Sequence, residues 1–438
     1  MRLSCVWLVF PLACGVTVGV LAAERAFTSF ASVKPVLESS ELPAELRNPN
    51  EAKWNAWSQS QDKAIRARLQ QGDLDSMVNL LLYGTSFTKQ PRIKVETITE
   101  ASRAGILRGR VDDLVAGLRS PGENERLTFL NGLLRSKGID PNSPGETGVF
   151  LYNNLSRVLQ EMETLAKRAE EAKAITDPAA IFNWRPGLFR DRGVSLDTGI
   201  FPNFSIDQAL RDLKNRGVLR AGQVARVAVI GPGLDFIDKN ENASYDYYPQ
   251  QTLQPFALYD SLVRLGLARR NAVSVSIFDI SSRVIDHIQR ARERARSTAG
   301  TPKTGYVIQL PRQVARQAGE NRWPPELIAY WHSLGDQVGA EVAPIAPPSV
   351  FLGLETRAVR IRPDVVLALQ PVDLNIVLER INMPETDRFD LIVGTNIFIY
   401  YDAFERSLAL ENAGAMLKHG GLLPVSYTHL TLPTNREV

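Results

Sequence analysis

The strongest constraint on the fold is an alternation that begins near Ser205. SIDQALRDLKNRG has helical spacing, ARVAVIG is a short apolar run, LQPFALYDSLVRLGLA is helical again, AVSVSIFDI is a second apolar run, and SSRVIDHIQRARERA is a further helix. DVVLALQPVDL, FDLIVGTNIFIYYD, the helical AFERSLALENAGAMLKHG and then GLLPV continue the pattern. Short apolar runs separated by helices predict an α/β fold: a parallel sheet with crossover helices on both faces. The domain is expected over residues 217–423.

The first half reads differently. From about Glu41 to Ile175 the apolar spacing is helical, in EAKWNAWSQSQDKAIRARLQQG, LDSMVNLLLYG, RVDDLVAGLRS, ERLTFLNGLLRSKG and the long VFLYNNLSRVLQEMETLAKRAEEAKAI, and several of these end at glycine. An all-helical domain is expected over 24–182, with Trp54, Trp57 and Phe129 in its core. A Gly-, Pro- and Arg-rich stretch, NWRPGLFRDRGVSLDTGIFPNF, marks a connector over 183–216.

The start of the chain is unlike either half. After Met1 and Arg2, LSCVWLVFPLACGVTVGVLAA runs without a charge until Glu24. Residues 1–23 read as a secretory signal closed by Ala22 and Ala23, or as an uncleaved anchor, so residues 3–23 are the part expected to meet a membrane. The reading places the protein outside the cytoplasm or on a membrane; a miscalled start would leave it cytoplasmic. Cys5 and Cys14, the only cysteines, both lie in this segment. The folded part is therefore expected to use no thiol chemistry, disulfide or zinc site. Four scattered histidines offer no metal set. With 51 basic and 48 acidic residues the net charge is +3, too weak a field to predict nucleic acid as a partner.

The candidate chemistry starts in VAVIGPGLDF, Val227 to Phe236. Here an apolar strand breaks into Gly231-Pro232-Gly233. In open parallel sheets a ligand lies beyond the carboxyl ends of the strands, where strand order reverses, and the first strand-to-helix turn approaches it most closely. Glycine suits that turn because it has no side chain to hold a ligand away and takes backbone angles that other residues avoid. The next apolar strand ends at Asp279, placed to accept hydrogen bonds from a ribose diol. Asp279 lies 48 residues after Gly231, against roughly 20 in a compact dinucleotide unit. The inserted DKNENASYDYYPQQT accounts for the surplus.

Over roughly Gly217 to Leu423 the chain resembles the class I S-adenosylmethionine-dependent methyltransferases, whose sheet is Rossmann-like. FDLIVGTNIFIYYD is similar to the fourth-strand motif of chemotaxis-receptor methyltransferases, and AMLKHGGLL is similar to the family's Leu-x-Pro-Gly-Gly segment, with His419 where proline is usual. The resemblance implies S-adenosyl-L-methionine as cofactor, with Gly231, Pro232 and Gly233 along its methionine and ribose portion. It implies Asp279 at the ribose hydroxyls, Asp373 at the adenine amino group and Asn396 near the methyl donor. The family's first motif carries an acid where this chain has Val229, and a third glycine where it has Asp235. Asp235 is read either as a replacement carboxylate for the methionine amine or as a helix N-cap. The VIGPGLD form is also similar to the turn of aminopropyl transferases built on the same sheet.

Methyl transfer is a direct displacement, so the protein must chiefly align donor and acceptor. Asn396 and Tyr400 are the catalytic candidates, with Tyr401 beside them, and the acceptor is a small molecule or protein of unassigned identity. The insertion Gly305 to Gly335 is a candidate lid, its Trp323, Tyr330 and Trp331 divided between lid and core roles. VSYTHLTLPTNREV at the end resembles translated sequencing-adaptor sequence, so residues 424–438 are expected to be a non-native tail. The family's closing strand hairpin is then missing. Three functions follow: a methyltransferase, an aminopropyl-type transferase, and a catalytically silent exported binding or scaffold protein.

Overall fold

The computed structural model describes residues 25–88, 93, 98–172, 200–235, 250–297, 305–312, 324–345, 355–395 and 397–426. The leader 1–23 lies outside them. Among the described residues no helix is long and apolar enough to cross a membrane.

The chain is α/β. It begins with β1 (Arg25–Phe27), α1 (Phe30–Ser39), α2 (Glu51–Tyr83), α3 (Glu100–Arg119), α4 (Glu125–Ser136), α5 (Pro144–Ala172) and α6 (Ile200–Asn215). Then come β2 (Arg226–Ile230), α7 (Gln254–Arg264), β3 (Ser274–Asp279), α8 (Ser282–Ser297), β4 (Val307–Arg312), α9 (Pro325–Ser333), β5 (Gly339–Val342) and β6 (Glu355–Ile361). The last elements are α10 (Pro363–Ala368), β7 (Leu369–Asp373), β8 (Glu379–Ile381), β9 (Phe389–Thr395), α11 (Ala403–Met416), β10 (Leu417–Leu422) and β11 (Val425–Ser426).

Five strands form one parallel sheet in the order β10-β9-β2-β3-β7, and the short β11 pairs further along β9, Val425 against Gly394. Order reverses at β2: the chain moves outward through β3 to β7, then returns to the other side of β2 with β9 and β10. Both faces are buried, as the unbroken apolar runs require. Val227, Val229, Val275, Ile277, Leu391 and Val393 face one core with α6, α7, α8 and α10. Ala228, Ile230, Phe278, Phe389 and Ile392 face the other, with α1 and α11. At the amino end, Asp390 accepts from the backbone N–H of Ala225 and Arg226 and from Lys418 Nζ, which ties three strands together.

Several elements depart from the sequence reading. EAKWNAWSQSQDKAIRARLQQG and LDSMVNLLLYG form the single helix α2, which passes through a buried Gly72. A glycine there costs about 1 kcal/mol against alanine, less than the packing on either side of it returns. DVVLALQPVDL divides into the short helix α10 and the strand β7. α11 stops at Met416, and β10 takes Leu417 through the glycine pair because Leu417 pairs with Phe389.

The buried apolar residues of the helical half divide between two clusters. Val33, Leu46, Trp54 and Ile65 join the core on the second sheet face, while Met77 onward packs with α3, α4 and α5 in a cluster of its own. β1 completes the first connection by pairing antiparallel with β8.

β4, β6 and β5 make a separate antiparallel sheet. Tyr330 and Trp331 are buried, 4% and 5% exposed, in the core with α7 and α8, so of the two roles weighed for them they take the core one. Trp323 lies outside the described residues. This inserted sheet is pinned by a half-buried pair. The Tyr306 hydroxyl accepts from Thr252 N at 2.9 Å and lies 2.8 Å from His287 Nε2. Burial, helped by Arg294, Arg290 and Arg283, lowers the His287 pKa to about 4, so the ring is neutral and shares one hydrogen bond with the phenol. Tyr306→Phe is expected to cost about 1–2 kcal/mol, because it removes one bond and orphans the Thr252 amide. Urea unfolding checks it; a loss under about 0.3 kcal/mol, the scatter between independent sites, contradicts it.

Candidate functional site

The switch point and the glycine turn coincide. β2 is apolar throughout and ends at Ile230; the Gly231 N–H then donates to Phe278 O at 2.8 Å, and the chain leaves the sheet. Gly231 (φ +59°) and Gly233 (φ +67°) take left-handed angles that glycine adopts without strain. A Cβ on Gly231 would meet Ile397 Cδ1 at 3.0 Å, so the turn is tight in space as well as in angle.

Asp279, the last residue of β3, reaches the same place. It is 7% exposed, and one carboxylate oxygen accepts from Ser281 N at 2.8 Å. Burial pushes its pKa up to about 7, while amides of Ser281, Gly233 and Ile280 act in the opposite sense and nearby Asp373 adds to the rise. The Gly233 amide thus links the glycine turn directly to the carboxylate.

Gly231, Gly233 and Asp279 line one cavity. Its walls are otherwise mostly apolar: Ile230, Phe278, Ile280, Leu374, Ile376, Ile397 and Tyr401. A flat heterocycle with a polar rim suits that composition. The volume does not yet suit it. The cavity measures about 40 Å³, enough for a few waters, whereas an organic ligand of ordinary size takes roughly 300–1,000 Å³.

The other expected residues fall at varied distances from it. Pro232 is buried between the two glycines and is not part of the lining. Asp235 makes an antiparallel bridge, its N–H donating to Gln251 O at 2.6 Å, and is likewise outside the lining. The helix that it would cap as an N-cap would begin in 236–249, which lie outside the described residues. Asp373 stands opposite Asp279 in the strand register. Its side chain is 48% exposed, with Arg25 Nη1 at 3.3 Å from one oxygen and Arg66 Nη1 at 2.9 Å from the other. Asn396 lies outside the described residues. Tyr400 ends a 3-10 turn, Phe398–Tyr400, and its carbonyl accepts from Arg68 Nη2 at 2.6 Å. The neighbouring Tyr401, not Tyr400, lines the cavity, and burial raises its phenol pKa.

A row of polar side chains on α2 bonds to residues next to the cavity lining without lining it. Gln61 Nε2 donates to Glu405 Oε1 at 2.5 Å, Asp62 accepts from Asn375 Nδ2 at 2.8 Å, and Arg66 joins Asp62, Asp373 and the more distant Glu379. Arg68 reaches Tyr400. Sequence reasoning did not find these residues. The visible signal, Asp62 and Arg66 four apart on a helix, is shared by any solvated helix face.

Neither the family models nor the curated proteins compared with this chain match it.

Proposed function

We propose that this protein binds a nucleoside cofactor, S-adenosyl-L-methionine, at the carboxyl end of its parallel sheet and acts as a methyltransferase on a Rossmann-like fold. One observation carries the proposal: the left-handed Gly231–Gly233 turn and the buried carboxylate of Asp279 line one apolar cavity at the strand-order switch. That is where open α/β sheets hold their ligands. The strand order supports the Rossmann-like assignment, and the resemblance of FDLIVGTNIFIYYD to the fourth-strand motif supports the choice of donor.

The donor set fits a nucleoside in kind. Asp279 offers an acceptor to a diol, and Phe278, Ile280, Leu374 and Ile376 offer apolar walls to a base. When bound, S-adenosyl-L-methionine supplies an electrophilic methyl group. The protein's part is then to orient the two partners and keep water out. Tyr401 and Ile397 close one wall for that purpose, and Asn396 and Tyr400 follow from the family resemblance as the groups nearest the acceptor. The acceptor itself is a small molecule or protein. An aminopropyl-type transferase uses the same sheet with a related nucleoside.

A catalytically silent binding or scaffold role is favoured by a different observation. Asp279 already receives backbone amides, and the cavity is too small for a nucleoside without rearrangement. Calorimetric titration of the full chain with S-adenosylmethionine, its decarboxylated analogue and NAD separates these readings. The expected result is heat with S-adenosylmethionine and none with NAD. Preference for the decarboxylated analogue selects the aminopropyl reading, and no heat from any of the three selects the scaffold.

A further inference from the structure

We infer that Ile397 sets what the cavity beside Asp279 admits: its side chain fills the bare face of the Gly231 turn, and a ligand reaching the carboxylate must displace it. The identity of the ligand rests on the nucleoside reading; the gate itself rests on the packing of the turn between β9 and α11.

Of the residues lining the cavity, Gly231, Ile280 and Ile397 are half-buried and the rest are buried, so these three form its mouth. Gly231 brings no side chain to it. Ile397 takes that place: a Cβ on Gly231 would meet Ile397 Cδ1 at 3.0 Å and Cγ1 at 3.4 Å. The backbone that the glycine leaves bare therefore faces an isoleucine, which gives the small volume of the cavity a local cause.

The turn that carries Ile397 is anchored beyond the gate and not at it. Phe398 is 1% exposed and packs over Gly394 of β9, where a Cβ would meet its ring at 2.6 Å. Asp402 then caps α11, accepting from Glu405 N at 2.9 Å, and Arg68 holds the Tyr400 carbonyl. Ile397 precedes these anchors. Its carbonyl accepts from Tyr400 N at 3.2 Å, and no side-chain bond caps the turn there. The Ile397 side chain can therefore swing toward solvent while Phe398 stays seated. Moving a half-buried isoleucine into water forfeits about half the transfer free energy of a fully buried one, an affinity penalty of about fivefold.

The test is titration of the full chain and of Ile397→Ala, Ile397→Val and Ile397→Phe with S-adenosylhomocysteine and, separately, with benzene, a probe that enters dry apolar cavities. The gate predicts S-adenosylhomocysteine affinity falling in the order Ile397→Ala, Ile397→Val, natural chain, Ile397→Phe, with about fivefold between the first and the natural chain. It predicts benzene binding in Ile397→Ala and none in the natural chain. Should Ile397→Ala fail to fold, Ile397→Val and Ile397→Phe, which shift affinity to opposite sides of the natural chain, give the same reading. Equal S-adenosylhomocysteine affinity across the series overturns the gate and leaves the nucleoside site standing; exclusion of benzene from folded Ile397→Ala also overturns the gate. Benzene uptake by Ile397→Ala with S-adenosylhomocysteine bound by no chain overturns the nucleoside reading and keeps the gate.

Discussion

Trp54→Ala is expected to lower the unfolding free energy by about 3–5 kcal/mol, the range for removing a large buried aromatic side chain. Trp54 is fully buried, its Nε1 donates to Thr28 O at 2.7 Å, and its ring lies 5.4 Å from that of Trp57. Trp57 in turn meets Phe404 edge-on at 5.4 Å. The Thr28 hydroxyl donates to Asn412 Oδ1, and Asn412 Nδ2 donates to the carbonyls of Ile376 and Val377. Deletion of this one ring therefore leaves a cavity and an unpaired carbonyl at the joint between α2 and the sheet. A helical half that folded by itself would not feel the change in the sheet. Here the sheet and residues 25–65 should lose stability in one transition, followed by urea unfolding with fluorescence and hydrogen exchange together. A loss under about 1 kcal/mol, ordinary for a surface substitution, contradicts the shared core.

Asp279→Ala should weaken S-adenosylmethionine binding by about 1–3 kcal/mol, roughly 5- to 150-fold, because the ribose hydroxyls lose their carboxyl partner. The same variant carries a second signature that needs no ligand. Burial raises the Asp279 pKa from 3.8 to about 7, so the folded state favours the protonated form. Stability from that preference is fully present below pH 3.8 and is lost as pH rises through about 7. His287 works in the opposite direction: its value falls from 6.5 to about 4, and its contribution is lost as pH falls through that window. Asp260, raised to about 6 chiefly by burial, resembles Asp279 in sign. His287 and Asp260 remain in the variant, so the difference between the two proteins isolates Asp279. Relative to the natural sequence, Asp279→Ala should gain stability between pH 4 and 7.5, by an order of a few kcal/mol. A difference that does not change with pH removes the buried-carboxylate account.

Much of the fold was legible because its signals are local. Val227 to Ile230 and Leu391 to Val393 are apolar at every position, and a strand buried on both faces needs that. Gly231, Gly233 and Asp279 could be placed because turn conformation and strand ends are written in adjacent residues. The boundary of α11 was not: Leu417 is as good a helix residue as a strand residue, and pairing with Phe389 decides it. The choice between Tyr400 and Tyr401 was hidden for a similar reason, since a 3-10 turn follows neither helical nor strand spacing. Least visible was α2. Its bonds to Asn375, Asp373, Tyr400 and Glu405 join residues more than 300 apart in sequence, and such contacts leave no periodicity in either segment.

The most direct test of the account is the structure of the full chain with S-adenosylhomocysteine. The account predicts ribose hydroxyls within hydrogen-bonding distance of the Asp279 carboxylate, the chain at Gly231–Gly233 against the ligand, and its base between Phe278, Ile280 and Leu374. A ligand bound elsewhere, or a cavity that stays shut while ligand binds, contradicts it.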